Sequence, residues 1–165
     1  MAEALKGAKE LMAFLDQLPA KVEANVSRNG LRAGAAVMNR ILKDKMPVKS
    51  GRLKKSARIS TRSRRGQVSA KIVVGGGGAW YASIVEFGAK AHPIQPEKGK
   101  AIFIEDGVFR ASAQHPGFSG KGYFRAAVDE GTGPASAAVV DRIRALLRDK
   151  HGLDIPAPED DTNES

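Results

Sequence analysis

Residues 57–74 read Ala-Arg-Ile-Ser-Thr-Arg-Ser-Arg-Arg-Gly-Gln-Val-Ser-Ala-Lys-Ile-Val-Val. In the first half Ala57, Ile59 and Thr61 alternate with Arg58, Ser60 and Arg62. In the second half Val68, Ala70, Ile72 and Val74 alternate with Gln67, Ser69 and Lys71. A period of two, broken by the turn Ser63-Arg64-Arg65-Gly66, predicts a β-hairpin with one apolar and one basic face. The apolar face needs a cover from elsewhere in the chain.

Helical patterns lie on both sides of the hairpin. Leu5, Lys9, Met12 and Leu15 sit near a three/four spacing, and Pro19 suits the first turn of a second helix carrying Val22, Val26, Leu31, Ala35, Met38 and Leu42. Val37 and Ile41 widen that stripe, Asn29-Gly30 marks an expected bend or break, and Pro47 ends the helix. Met38, Ile41 and Leu42 are expected to meet Val68, Ala70, Ile72 and Val74. After the hairpin, Gly75–Gly78 reads as a flexible link and Trp80–Phe87 as a short apolar piece. Ala101–Ile104 and Val108–Ala111 suggest two more strands around Glu105-Asp106-Gly107. A last helix is expected from Ala135, with Pro134 in its first turn and Gly152 just past its end. The expectation is an α+β fold: N-terminal helices and a C-terminal helix packed on a small antiparallel β-sheet. One domain over 1–155 is followed by an acidic, disordered tail over 156–165.

The chain of 165 residues contains 0 cysteines, which excludes disulfides, thiolate metal sites and cysteine nucleophiles and fits synthesis in a reducing cytoplasm. Its opening MAEALKGAKE lacks the basic and apolar regions of a secretory signal, and no stretch reaches the roughly 18 apolar residues of a membrane span. The net charge is +9, and the last ten residues hold four acidic and no basic groups, so the remainder carries 9 + 4 = +13. Between Asp44 and Glu86 stand ten Lys and Arg residues and no acid. Such a block needs a negative partner, either nucleic acid or an acidic protein surface.

Catalytic and cofactor motifs are not found. Gly75–Gly78 is followed by Ala79-Trp80 where a phosphate loop needs Gly-Lys-Ser/Thr. His92, His115 and His151 lack metal-ligand spacing. His92 with Glu86 is a conceivable acid–base pair, but no nucleophile or oxyanion device accompanies it. No metal or cofactor is expected. Trp80, Tyr81 and Phe87 read as a core aromatic cluster. The basic interval Lys45–Lys71 contains no aromatic platform for single-stranded nucleic acid, although contacts to a duplex backbone remain open.

Three blocks in order carry a family resemblance. Pro47–Ser56 contains Ser50-Gly51, Leu53 and Ser56 in the pattern Ser/Thr-Gly-x-Leu-x-x-Ser. Tyr81-Ala82-Ser83-Ile84-Val85-Glu86-Phe87-Gly88 matches Tyr-Ala-x-x-Val-Glu-Phe-Gly. His115-Pro116-Gly117 and Tyr123-Phe124-Arg125-Ala126-Ala127 precede the last helix, with Tyr123 and Ala126 where prolines are usual. Together they resemble the head–tail joining, or tail-completion, proteins of long-tailed bacteriophages. The resemblance implies a non-enzymatic virion protein of the neck or tail, assembled in the bacterial cytoplasm of its host, in a phage, a prophage remnant or a gene transfer particle. It implies a sixfold or twelvefold homo-oligomeric ring between neighbouring connector and tail proteins, with DNA passing through under weak contact at most. The motif residues Ser50, Gly51, Leu53, Ser56, Tyr81, Glu86, Phe87, Gly88 and Phe124 are expected to be structural. Gly51 would take a positive φ, Ser56 would bond the local backbone, and the Glu86 carboxylate would be met by a cation or backbone N–H groups. Arg58, Arg62, Arg64 and Arg65 are expected in subunit or partner contacts. The alternative is a nucleic-acid-binding accessory protein using this basic face.

Overall fold

The computed structural model describes residues 11, 13, 15–16, 18–64, 67–96, 101–104 and 107–152. Most of the first expected helix, the Arg65-Gly66 tip of the first hairpin and the expected acidic tail lie outside them. Leu11 and Leu15 are helical and buried.

Two long helices form the body. Helix α1 runs Ala20–Lys45, and helix α4 runs Tyr123–His151. Between them come a short helix α2 (Arg52–Ser56), strands β1 (Arg58–Arg64) and β2 (Gln67–Val73), and a short helix α3 (Ala82–Phe87). Six further short strands follow: β3 (Gly88–Ala89), β4 (His92–Ile94), β5 (Ile102–Ile104), β6 (Val108–Arg110), β7 (Ala113–His115) and β8 (Phe118–Ser119). The architecture is α+β, as the periodicities predict.

The helices pack antiparallel through residues spaced by four. On α1 these are Val22, Val26, Gly30, Gly34, Met38, Leu42 and, just beyond, Met46. On α4 they are Tyr123, Ala127, Gly131, Ala135, Val139, Ile143 and Leu147. Rows of this spacing are the ridges that interlock when helices pack closely. Size alternates across the contact. A β-carbon on Gly30 would lie 2.5 Å from Ile143 Cγ1, and one on Gly131 would lie 2.7 Å from Met38 Sδ.

This contact explains two departures from expectation. Helix α1 does not break at Asn29-Gly30. Gly30 is the seat for Ile143, and the Asn29 amide donates to Asn25 O at 2.8 Å, so both residues serve the helix. Helix α4 begins at Tyr123, 12 residues before the expected Ala135, and encloses Pro134. Pro134 has no N–H for the Glu130 carbonyl. Thr132 Oγ1 donates to Val128 O at 2.6 Å and Ser136 Oγ to Thr132 O at 2.9 Å, side-chain bonds that line the same stretch of helix.

Strands β1 and β2 pair antiparallel with Ile59 opposite Ile72 and Thr61 opposite Ala70, and β1 runs on through Ser63 and Arg64, which the sequence reading had placed in the turn. Their inner face lies on α1. Ile41, Ile72 and Val74 pack against a core of Leu42, Met46, Leu53, Ala57, Ala82, Tyr123 and Ala127. A second core, Leu11, Leu15, Val26, Ile143 and Leu147, closes the other end of the helix pair. No helix among the described residues is long and apolar enough to cross a membrane.

Candidate assembly surface

Residues of the three sequence blocks meet at one junction. Gly51 takes φ 72° at the start of α2, so the turn from α1 needs its missing β-carbon. Leu53 is buried in the core beside Tyr123, and Ser50 is exposed in the turn. Ser56 Oγ donates to Leu53 O at 2.7 Å and accepts from the Gly75 N–H at 3.1 Å, tying α2 to the end of the first hairpin. The Gly75–Gly78 stretch, read above as a flexible link, is a turn with all four φ values positive. It is bonded to Ser56 at one end and closed by Ala79 N–H to Gly76 O at 3.0 Å.

Helix α3 is joined end to end with α4. Tyr123 Oη donates to Ala82 O at 3.0 Å, and the Lys121 and Gly122 amides donate to Val85 O and Glu86 O. The N-cap position of α4 is Gly122, which has no side chain to receive the free first-turn amides. Glu86 supplies the acceptor instead: Phe124 N–H donates to Oε2 at 2.8 Å and Arg125 N–H to Oε1 at 3.2 Å. A carboxylate at a helix N-terminus is favoured by both hydrogen bonding and the helix dipole. The acid of the Val-Glu-Phe-Gly block is therefore a cap, and both its oxygens are engaged. Burial, and secondarily the nearby Glu86 charge, raise the Tyr123 hydroxyl above its ordinary pKa.

The expected aromatic core cluster does not form. Only Tyr81 is half-buried; Trp80 is 75% exposed and Phe87 83% exposed. The residues that fill the core around α3 are Ala82, Tyr123 and Leu53, because a six-residue helix has only one narrow face to bury. Phe87 and Phe124 both stand at the surface.

From Gly88 to Ser119 the chain runs out and returns as an antiparallel arm, with β3 on β8, β4 on β7 and β5 on β6. Its root is a close backbone crossing. A β-carbon on Gly88, at φ 83°, would meet Phe118 O at 2.4 Å, and one on Gly120 would meet Glu86 O at 2.1 Å. Beyond the root the arm stands away from the body: β4 is exposed along its length, and no described strand of the arm packs extensively on α1, α4 or the first hairpin. His92 and His115 face each other across β4 and β7, rings stacked at 5.0 Å. His92 Nδ1 lies 2.9 Å from Lys90 O and so carries the hydrogen, whereas His115 Nδ1 accepts the Gly117 N–H at 3.0 Å. His92 is thus engaged on the arm, Glu86 is engaged as a cap, and no described contact joins them as an acid–base pair.

The outer face of the first hairpin carries Arg58, Ser60, Arg62 and Arg64 on β1 and Lys71 on β2, all exposed. Arg58 Nη1 bonds Gly75 O at 3.3 Å and is held to the junction; Arg62 and Arg64 make no hydrogen bond or ion pair among the described residues. Arg65 lies outside the described residues.

This geometry places a motif-built junction at the root of a projecting arm, next to a basic sheet face. Residues 9–88 match the HK97-gp10-like family. That family is described as "Bacteriophage HK97-gp10, putative tail-component". The matched stretch takes in α1, the Ser50–Ser56 and Tyr81–Gly88 blocks and the first hairpin, and ends at the arm's root; the arm and α4 lie beyond it. The HK97-gp10-like family implies a structural component of a phage tail, a place in the virion among other tail or neck proteins, and no catalytic role. No curated protein and no solved structure matches the chain.

Proposed function

We propose that this chain is a ring-forming subunit of the head–tail joint, a neck or tail-completion protein that links the portal side of the head to the tail while DNA passes through. The observation that carries the reading is the junction itself. The blocks Ser50–Ser56, Tyr81–Gly88 and Tyr123–Ala127 converge on one spot, in a chain whose residues 9–88 match a tail-component family. Small identical subunits with head-to-tail contacts close into rings of fixed order, here sixfold or twelvefold. Particles assembled without the protein should accumulate as filled heads and separate tails; joining at normal yield would exclude this role.

In this reading the basic face of Arg58, Arg62, Arg64 and Arg65 meets acidic surfaces of adjoining subunits or rings. A ring multiplies each subunit's charges. A lumen that neutralised several phosphates per copy would hold DNA with the steep salt dependence of counterion release and resist its passage. On an interface the same charges set register and speed docking.

The second reading is a nucleic-acid-binding accessory role, favoured by the exposure of Arg62, Arg64 and Lys71 on one face. Replacing Arg62, Arg64 and Arg65 by Ser separates the two. Loss of head–tail joining supports the interface role, whereas normal joining with altered DNA retention or ejection supports contact with DNA.

A further inference from the structure

The outer face of the first hairpin is a set of cations without anions. Arg62 and Arg64 stand two residues apart on β1, with Ser69 and Gln67 opposite them on β2. All four are exposed, and together they line a recess of about 640 Å³. Neither guanidinium has a hydrogen bond or ion pair among the described residues. Two other cations are answered locally: Lys45 pairs with Glu130, and Arg148 lies 3.5 Å from Asp149. The hairpin has no such recourse, since residues 57–74 hold five Lys and Arg and no Asp or Glu. A concave patch of one sign attracts the opposite charge.

The chain carries a block of that opposite sign. Residues 153–165 follow α4 and lie outside the described residues. They read Leu-Asp-Ile-Pro-Ala-Pro-Glu-Asp-Asp-Thr-Asn-Glu-Ser, with five acids and no Lys or Arg. The two blocks match in charge, +5 against −5. The hairpin is also within reach. Val68 lines the recess and also lines a groove of about 330 Å³ whose other wall includes Val139, Val140 and Ile143 of α4. Ile143 lies nine residues before Gly152, about 13 Å along the helix. Glu159 lies seven residues after Gly152, a reach of up to about 23 Å. Gly152, at φ 63°, ends the helix and turns the chain off its axis. The smaller groove is lined by Asp16 and Glu23, which repel the acids of the segment and leave the arginines as their seat.

We propose that this acidic segment docks on the outer face of the hairpin of its own chain, with Glu159, Asp160 and Asp161 against Arg62 and Arg64. Laid along β1, Glu159 and Asp161 repeat at about 6.6 Å, the rise of two strand residues and the spacing of the two arginines. Exposed ion pairs are individually weak and are screened by salt. Tethering compensates, because a short linker gives an effective concentration on the order of millimolar. Such a contact holds against dilute polyanions and yields to an acidic surface fixed in an assembly. The inference rests on the reading of this face as a docking surface and names its occupant before assembly. The chain's own segment keeps nucleic acid off the arginines until a partner takes its place.

A spin label on Asn163→Cys reads the contact directly, since the chain has no other cysteine. At low salt the amide signals of Arg62, Arg64, Gln67 and Ser69 should broaden in the labelled full chain. They should recover in 1 M salt, where the screening length is about 3 Å. Neutralising the acids by Glu159→Gln, Asp160→Asn and Asp161→Asn should restore them too. The neutralised chain should also bind a short DNA duplex at least about tenfold more tightly than wild type, and the gain should vanish when Arg62→Ser and Arg64→Ser are added. Broadening that is absent, confined to Arg142–Lys150 of α4, or equally strong when label and isotope are on different chains overturns the proposal. A gain in DNA binding that is absent, or that persists without the two arginines, overturns the shielding, because the acids then act through net charge at most. Normal head–tail joining by the Arg62→Ser, Arg64→Ser variant removes the interface reading of the face and leaves the segment's contact standing.

Discussion

Gly34 of α1 lies against the carbonyl oxygen of Ala135 in α4: a β-carbon there would sit 2.7 Å from that oxygen and 2.5 Å from Val139 Cγ2. Alanine in an unobstructed helix is favoured over glycine by about 0.5–1 kcal/mol. Here the obstruction includes backbone, which moves only with its helix, and overpacking costs about 1–3 kcal/mol. Gly34→Ala should therefore destabilise the protein by about 1–2 kcal/mol in urea unfolding. A more stable variant would mean that the helices are farther apart than this.

Ser56→Ala removes both bonds of one hydroxyl. The Gly75 N–H loses its acceptor and Leu53 O loses its donor. Leaving a part-buried group unsatisfied costs about 1–3 kcal/mol. The loss should be local as well as global, with faster hydrogen exchange at the Gly75 amide than the change in overall stability accounts for. Unchanged exchange there would argue against the bridge.

Glu86 tests the remote cap. Glu86→Ala strips the acceptor from two first-turn amides of α4 and should cost about 1–2 kcal/mol. Glu86→Gln keeps an acceptor and loses the charge, so it should cost less. Equal losses in the two variants would show that charge alone matters at this position.

Tyr123 sets an expected alkaline limit. Its folded pKa is raised above the ordinary value near 10, chiefly by burial. A raised folded pKa means that the folded state holds the proton more tightly than the unfolded chain. The stabilisation is therefore complete below the unfolded pKa and is lost as pH climbs through the folded one. Wild-type stability should fall above about pH 10, and Tyr123→Phe should fall less steeply there, while starting about 0.5–1.5 kcal/mol lower at neutral pH for want of the bond to Ala82 O. Parallel pH curves for the two proteins would contradict this.

What the sequence disclosed followed burial. The hairpin Arg58–Val73 was legible because one of its faces lies on α1, which imprints a period of two, but its register with Ile59 opposite Ile72 was not, since Ser63 and Arg64 were read as turn and belong to β1. The inner strands of the arm were found around Glu105-Asp106-Gly107, but β3, β4, β7 and β8 were missed. A strand such as His92-Pro93-Ile94, exposed along its length, has no buried face to imprint a pattern. The first half of α4 was missed for a different reason. Its buried row includes Ala127 and Gly131, small residues that register weakly as apolar, and Gly133-Pro134 imitates a helix start. At the junction, the need of Glu86 for either a cation or backbone N–H partners was legible from its apolar surroundings. That those partners belong to a helix 38 and 39 residues away was not. Trp80 and Phe87 were misjudged because hydrophobicity alone does not distinguish a core side chain from one at an exposed face.

The alternation of glycine and bulk along the two long helices acts as a combination lock on how far one can slide past the other. Shifted by one turn in one direction, Gly34 would come opposite Gly131, leaving a void where two side chains are missing. Shifted by two turns the other way, Met38 would come opposite Val139, and two bulky side chains would compete for one space. Neither slip is isoenergetic with the observed setting, so α4 is indexed against α1 along its whole length. A load applied to the arm enters at Gly88 and Ser119, passes through α3 into the start of α4, and meets a shaft keyed against axial creep. In the joint proposed above, that keyed shaft would let the far end of the subunit feel the pull without the two helices parting company.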